Sequence, residues 1–395
     1  MDSALFEAIS ALDRVLLDRM RALVEIESPS DDKAAVDACV DAAAEMAAGL
    51  GGTVRRHRQR AFGDVLELRF AAQKCEPVRG RGPAHPGSGE KARPVMLLGH
   101  LDTVWPMGTL RTMPYRVKDG RVWGPGTLDM KAGVAMGLTA IEALRQTEQM
   151  RRPVVFLLNS DEEVGSTVSR PLTEKLAREC AAVFVLEPAQ GLEGAYKTAR
   201  KGVGGYTLRV EGVAAHAGVD FERGASAIAE LAHQVEQVRG FTELERGLTV
   251  NAGLIRGGTR TNVVAAEAEA AFDVRIARAQ DAARIEKRFR GLRVRDRRCL
   301  LKVEGGMNRP PMERTRATVA LYRKAATLAG EMGFVLAEAA TGGGSDGNFT
   351  SALGVPTLDG MGAVGEGAHA SHESVVLREL MPRTALLAEM IRTTT

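Results

Sequence analysis

The chain has 395 residues, 45% hydrophobic and 26% charged, a length that calls for two domains rather than one core. Lys and Arg (53) nearly balance Asp and Glu (50), and aromatic residues make up only 4%, so neither charge nor stacking capacity favours a nucleic-acid partner. Cys39, Cys75, Cys180 and Cys299 lie far apart with no CxxC pair, which excludes a disulfide framework or thiolate zinc site and fits free thiols in a reducing compartment.

The N-terminal stretch carries acids and lacks a basic leader region, and no apolar run approaches the ~20 residues of a membrane span. A cytoplasmic protein with no membrane partner is expected. Residues 4–25 place Leu5, Ile9, Leu12, Leu16, Met20 and Leu23 at helical spacing. A second helix is predicted from Ser30 or Asp31 to a Gly-Gly stop at Gly51. "DVLELRF" alternates like a strand. Residues 71–93 are rich in Pro, Gly and charge and read as a surface loop, with His57 and His85 in solvated surroundings.

Three apolar runs follow, "PVMLLGHLD", "RPVVFLLNSDEE" and "AAVFVLEP", separated by the helical stretches "MKAGVAMGLTAIEALRQ" and "PLTEKLAREC". Continuous apolar strands alternating with helices predict a largely parallel sheet covered on both faces. After about residue 198 the strands alternate instead, as in "VGGYTLRVEG", "LTVNAGLIRGG" and "EAEAAFDVRIA". From about residue 307 the α/β texture returns. The expected architecture is an α/β domain, residues 1–198 and 307–395, with a mixed, largely parallel sheet between helices. An α+β domain, 199–306, is inserted into it.

His100 with Asp102, Asp129, Glu162 with Glu163, and Glu187 all fall at predicted strand ends or in the loops just after them. In an open α/β sheet this is where ligands bind. Acids converging on a His would repel one another unless a positive charge sat among them, and a metal ion meets that need. Imidazole and carboxylate without thiolate suit zinc, cobalt or manganese. The donors exceed what one ion needs, so two ions sharing a carboxylate are expected. His100 and Asp102, two apart on a strand, face one side, and Asp102 can hold the imidazole in one tautomer. Glu162 and Glu163 face opposite ways if extended, leaving one free as a general base. Taken singly, "HLD" reads as a satisfied buried His and "DEE" as solvated surface; their conjunction at strand ends favours chemistry.

The ordered set "GHLDTVWPMG", "GPGTLDMKAG", "NSDEEVGS", "VLEP", "GVAAHAGV" and "TGGGSDGNF" resembles the dinuclear zinc peptidase family that includes bacterial glutamate carboxypeptidase, acetylornithine deacetylase and succinyl-diaminopimelate desuccinylase. The glutamate carboxypeptidase branch is the most similar. The resemblance spans about residues 15–390. It implies two zinc ions per chain, with cobalt or manganese as substitutes. His100 and Glu187 would hold one ion, Glu163 and His369 the other, and Asp129 would bridge them. Asp102 would orient His100, and Glu162 would be the general base and acid. In "GEGAHASHES" both His369 and His372 are candidate ligands; His369, four residues before Glu373, matches the family spacing. The inserted domain would be a lid that also forms a homodimer, presenting His216 to the partner's active site as an oxyanion donor. Asn262, Arg275 and the Gly344 loop would bind substrate. The family often has Asp after the bridging Asp, across a cis peptide; here Met130 follows, and a cis Asp129–Met130 bond is still expected.

The implied reaction is amide hydrolysis that frees a C-terminal amino acid, glutamate first, from an N-acyl amino acid or short peptide. An N-acetyl or N-succinyl amino-acid deacylase is the alternative, and a non-catalytic binding protein that kept the fold is a third reading.

Overall fold

The computed structural model describes residues 3–73 and 92–394; Cys75, His85 and most of the 71–93 stretch lie outside them. The backbone divides into two compact units, one of Met1–Thr198, Arg314–Ala340 and Ser345–Thr395, the other of Ala199–Glu313 and Thr341–Gly344.

The first unit is built on a six-stranded sheet. Its strands, in spatial order, are Thr53–His57, Val65–Phe70, Val154–Asn159, Val95–His100, Ala182–Val185 and Thr357–Leu358. The last four run parallel, and Val65–Phe70 pairs antiparallel with both Val154–Asn159 and Thr53–His57, which makes the expected mixed, largely parallel sheet. Val95–His100, Val154–Asn159 and Ala182–Val185 are buried at every position. The reason is the two-residue period of a strand. Leu97, Phe156 and Phe184 share one core with Val134, Leu138 and Ile141 of the helix Ala132–Gln146. Met96, Leu98, Val155, Leu157 and Val183 share another with Leu176 and Ala177 of the helix Arg170–Glu179. With helices on both faces neither side of a strand can be polar, so the pattern is a run rather than an alternation.

Several local expectations are corrected. The N-terminal helix is two helices, Ser3–Ser10 and Asp13–Val24; at the junction the Leu12 N–H bonds the Ile9 carbonyl at 2.8 Å, three residues back instead of four, and Leu12 leaves the helical region. The next helix runs Lys33–Gly49 and is capped by Asp32, whose carboxylate accepts from the Ala35 N–H at 3.1 Å, a contact worth about 1 kcal/mol. "DVLELRF" is buried on both faces apart from Arg69, since Leu66, Leu68 and Phe70 join the core on one face and Val65 the core on the other. His57 is not a solvated loop residue. It ends a strand and its Nε2 lies 2.7 Å from the carboxylate of buried Glu67.

The second unit holds a four-stranded antiparallel sheet in the order Thr249–Gly257, Glu267–Ile276, Gly202–Glu211, Leu300–Arg309. The helices Ala227–Arg239 and Gln280–Arg290 cover one face, and Tyr206, Leu208 and Phe272 meet Leu231, Ile285 and Phe289 there. Tyr206 stacks on Phe289 with centroids 3.9 Å apart. The strand Leu300–Arg309 escaped the sequence reading because Gly305–Gly306 looks like a turn. These glycines instead let two strands close up: a Cβ on Gly305 would sit 2.1 Å from the Gly205 carbonyl oxygen. Among the described residues no helix is long and apolar enough to cross a membrane.

Candidate metal centre and active site

The strand Val95–His100 ends on a buried imidazole. His100 Nδ1 lies 2.9 Å from the backbone oxygen of Asp102 and 3.5 Å from its carboxylate. A carbonyl oxygen only accepts, so Nδ1 carries a proton and Nε2 is the atom presented to the site. Nε2 lies 3.3 Å from Asp129 Oδ1 and 3.6 Å from Glu187 Oε1. Glu187 follows the strand Ala182–Val185, and its backbone is clamped by close approach. A Cβ on Gly133 or on Gly362 would fall 2.1 Å from the Leu186 carbonyl oxygen, so only glycine lets both segments pack there.

The near contact of His100 Nδ1 is thus the Asp102 backbone oxygen, and the Asp102 carboxylate makes its shorter bonds elsewhere. Its Oδ2 accepts from the Ser30 hydroxyl at 2.7 Å, and its two oxygens accept from the backbone N–H groups of Glu162 and Glu163, each at 3.2 Å. The same loop is tied at its ends by buried Asp346, which accepts from the Asn159 amide and the Ser166 hydroxyl. "GGGSD" therefore contributes a carboxylate that holds the "NSDEEVGS" loop, a role its sequence did not suggest.

Asp129 sits on an irregular turn with extended φ/ψ, and the Asp129–Met130 peptide is cis. Its Oδ1 faces His100 and its Oδ2 lies 3.2 Å from His369 Nε2. His369 Nε2 is also 3.3 Å from Glu163 Oε2. Two donor groups result, His100–Asp129–Glu187 and Asp129–Glu163–His369, each with ligand atoms within 4.8 Å of one another. They share Asp129, and His372 is in neither. His369 has φ 62°, a left-handed conformation that costs a non-glycine residue energy and clusters at functional sites.

The groups fit divalent ions. Two imidazoles and three carboxylates without a thiolate are a zinc, cobalt or manganese donor set. Glu163 Oε1 is buried with no hydrogen-bond partner among the described residues, which an ion would supply. The electrostatics agree. Burial disfavours charge on His100, but Asp102 and Asp129 outweigh it and lift the imidazole well above its ordinary value. Burial opposes ionisation of Asp129, yet His100 and His369 hold its carboxyl below the usual range. Burial pushes Glu163 up. Hydrogen bonds to Asp129 and Glu163 raise His369 to about 10. Protons there occupy the place that a bound cation would take.

In the second unit His216 and Asn262 are exposed, and their segments are laced together by the Ala217 N–H donating to the Asn262 carbonyl at 3.0 Å. The Gly218 N–H donates to His216 Nδ1 at 3.1 Å, so in the neutral ring Nε2 carries the proton. Arg275 is half-buried. Its Nε and Nη2 bind Asp273, both at 2.8 Å, and Nη1 reaches the Gly342 carbonyl oxygen at 3.3 Å, beside the Gly344 loop. Sequence reasoning passed over three buried groups of the first unit, Ser30, Asp346 and Glu373. Glu373 accepts from the N–H groups of Gly126, Leu128 and Asp129 and from the Trp105 indole. It had served only as a spacing marker for His369.

The model of peptidase family M20/M25/M40 matches residues 96–393. The chain belongs to this family. Carboxypeptidase G2 of Pseudomonas sp. (strain RS-16) is 27% identical over 391 residues, 98% of this chain and 91% of that one. Acetylornithine deacetylase of Myxococcus xanthus is 30% identical over 191 residues, 45% of this chain and 48% of its own. The YXEP protein of Bacillus subtilis, a dinuclear metal-binding peptidase of the M20 family, shares the fold with a TM-score of 0.66 at 14% identity, covering 97% of this chain and 98% of its own. As an M20 member the protein is a metal-dependent hydrolase of the peptidase and amidohydrolase type.

Proposed function

We propose that the protein is a dizinc hydrolase that releases a C-terminal amino acid, glutamate first, from an N-acyl amino acid or short peptide. The observation that carries this reading is Asp129, which offers one carboxylate oxygen to each imidazole. His100 and Glu187 would hold one ion and Glu163 and His369 the other, with Asp129 available to both. When bound, such a pair lowers the pKa of water and polarises a carbonyl. Glu162 stands beside the donors on a turn fixed by Asp102; it takes the proton of the attacking water and returns it to the leaving nitrogen. Asp102 keeps His100 in the tautomer that ligates.

His216 is the oxyanion donor, through its Nε2–H, and Asn262, Arg275 and the backbone at Gly344 bind the substrate's polar groups. A homodimer through the inserted unit would deliver His216 to a partner's active site. The exposed edge strand Thr249–Gly257, with Leu254 58% and Ile255 63% exposed, supports that association. Cys39, Cys180 and Cys299 are buried free thiols, in keeping with a cytoplasmic setting.

Similarity to carboxypeptidase G2 over 98% of the chain supports release of a C-terminal amino acid, and the preference for glutamate rests on the motif resemblance. One observation favours the alternative, an N-acetyl or N-succinyl amino-acid deacylase. Asp273 already engages two nitrogens of Arg275 and offsets the charge that an acidic substrate would need. Hydrolysis by the zinc-loaded protein of a panel with constant acyl group and varied amino acid tests the choice. Strong preference for glutamate or aspartate is expected, and equal turnover of neutral amino acids would transfer the assignment to a general deacylase.

A further inference from the structure

One buried carboxylate belongs to neither donor group, yet it touches segments that carry their members. Glu373 is fully buried. Its Oε1 accepts from the N–H of Leu128 at 2.8 Å and of Asp129 at 3.0 Å. Its Oε2 accepts from the N–H of Gly126 at 2.9 Å and from the Trp105 indole Nε1–H at 2.8 Å. Four donors fill the acceptor capacity of an ionised carboxylate, and bonds of this charge-assisted kind are about twice as strong as neutral ones.

The placement of those donors is what matters. Gly126, Leu128 and Asp129 form the irregular turn that aims the shared carboxylate, and its φ/ψ angles leave the helical region at Asp129 and Met130. Trp105 lies on the loop that leaves His100 and Asp102. Glu373 itself is joined to His369 by short turns, its N–H donating to the Ala370 carbonyl at 2.9 Å and the Ala370 N–H to that of Gly367 at 2.8 Å. One side chain thus links the segments bearing His100, Asp129 and His369.

We infer that Glu373 is the positioning residue of the metal centre. It fixes the Asp129 backbone so that one carboxylate oxygen meets each imidazole, and it sets the separation of the two donor groups. The inference rests on the dinuclear reading above. A carboxylate that only satisfied buried N–H groups would affect stability and leave ion binding alone.

The test compares wild-type, Glu373→Gln and Trp105→Phe full-length chains. Zinc retained per chain is measured against a graded chelator, the visible absorption of the cobalt(II)-loaded protein is recorded, and circular dichroism follows the fold. The amide of Glu373→Gln keeps the size but turns an NH2 toward N–H donors. Zinc retention is expected to weaken about 10- to 100-fold, the range typical of lost outer contacts to ligands, with a changed cobalt spectrum. Trp105→Phe removes one donor of four and should shift both readouts less, in the same direction. A Glu373→Gln chain that melts lower but binds zinc as tightly, with an unchanged cobalt spectrum, overturns the inference. If that variant does not fold, Trp105→Phe decides, and wild-type zinc retention in it overturns the inference equally. A wild-type chain that retains no ion overturns the metal-centre reading itself, a distinct outcome because all three chains are measured together.

Discussion

The two sheets of this molecule handle their functional groups in opposite ways. In the six-stranded sheet, strands buried at every position lead into His100 and the acid-bearing loops, and Asp102 holds both His100 and the backbone at Glu162 and Glu163. In the four-stranded sheet one face packs on helices while the edge strand Thr249–Gly257 is exposed from Asn251 onward, and His216 and Asn262 stand in the open on connecting segments. Preorganised charge needs desolvation and fixed dipoles, and the first unit supplies both from its own packing. In the second unit the His216 ring accepts one backbone N–H, from Gly218, and the backbone of Asn262 is held by the Ala217 N–H. Substitutions in the first should therefore couple chemistry to stability, and substitutions in the second should separate them.

The largest effect expected within this contrast is at Glu162. Glu162→Ala should lower kcat by about 10²- to 10⁴-fold on any substrate that the wild type turns over, the worth of a positioned general base, with two ions per chain retained. Metal analysis beside steady-state kinetics checks it, and a fully active variant removes the base assignment. Next comes His216→Ala. Loss of one oxyanion donor costs about 10²- to 10³-fold in kcat. Because His216 is exposed, its melting free energy should stay within about 0.5 kcal/mol of wild type. Equal kcat in the two proteins would leave His216 as an ordinary loop residue and sharpen the contrast, placing all the chemistry in the buried unit.

The contrast also explains what was legible in the sequence. Burial on both faces forces apolar runs, so the strands ending at His100, Asn159 and Val185 could be read, and the acids just beyond them stood out against that background. Alternation marked Glu267–Ile276, with one face on helices. Leu300–Arg309 was not legible, because two glycines that permit close strand packing look like a turn. His369 and His372 were hard to separate, since a loop has no periodicity and the deciding feature is a distance to Asp129. Glu373 and Asp346 were overlooked for a deeper reason. Their partners, Gly126 and Leu128 for one and Asn159 and Ser166 for the other, lie well over a hundred positions away, and nothing local records the pairing. The break between Ser10 and Asp13 was not legible because the apolar spacing of Leu5, Ile9, Leu12 and Leu16 runs through it.

The smallest expected effect concerns pH and tests how far the buried cluster depends on its ions. In the metal-free protein His369 is raised from 6.5 to about 10, chiefly by hydrogen bonds to Asp129 and Glu163. A histidine raised on folding stabilises the native state fully below its unfolded value, near pH 6.5, and that contribution disappears as pH climbs through the folded value, near pH 10. The chelator-treated protein should therefore lose melting temperature between about pH 7 and pH 10. His369→Ala should reduce that slope by the share His369 carries and leave the share of His100, which Asp102 and Asp129 also raise. Zinc should flatten it, since ligation replaces the proton and its release accompanies binding. The side chain is half exposed, so solvent screening keeps the shift modest. Differential scanning calorimetry of the three samples across this window measures it. A metal-free wild type whose melting temperature is level from pH 7 to 10 would show that the His369 pair contributes nothing without its ion, and that the cluster is organised by its packing and by the metal alone.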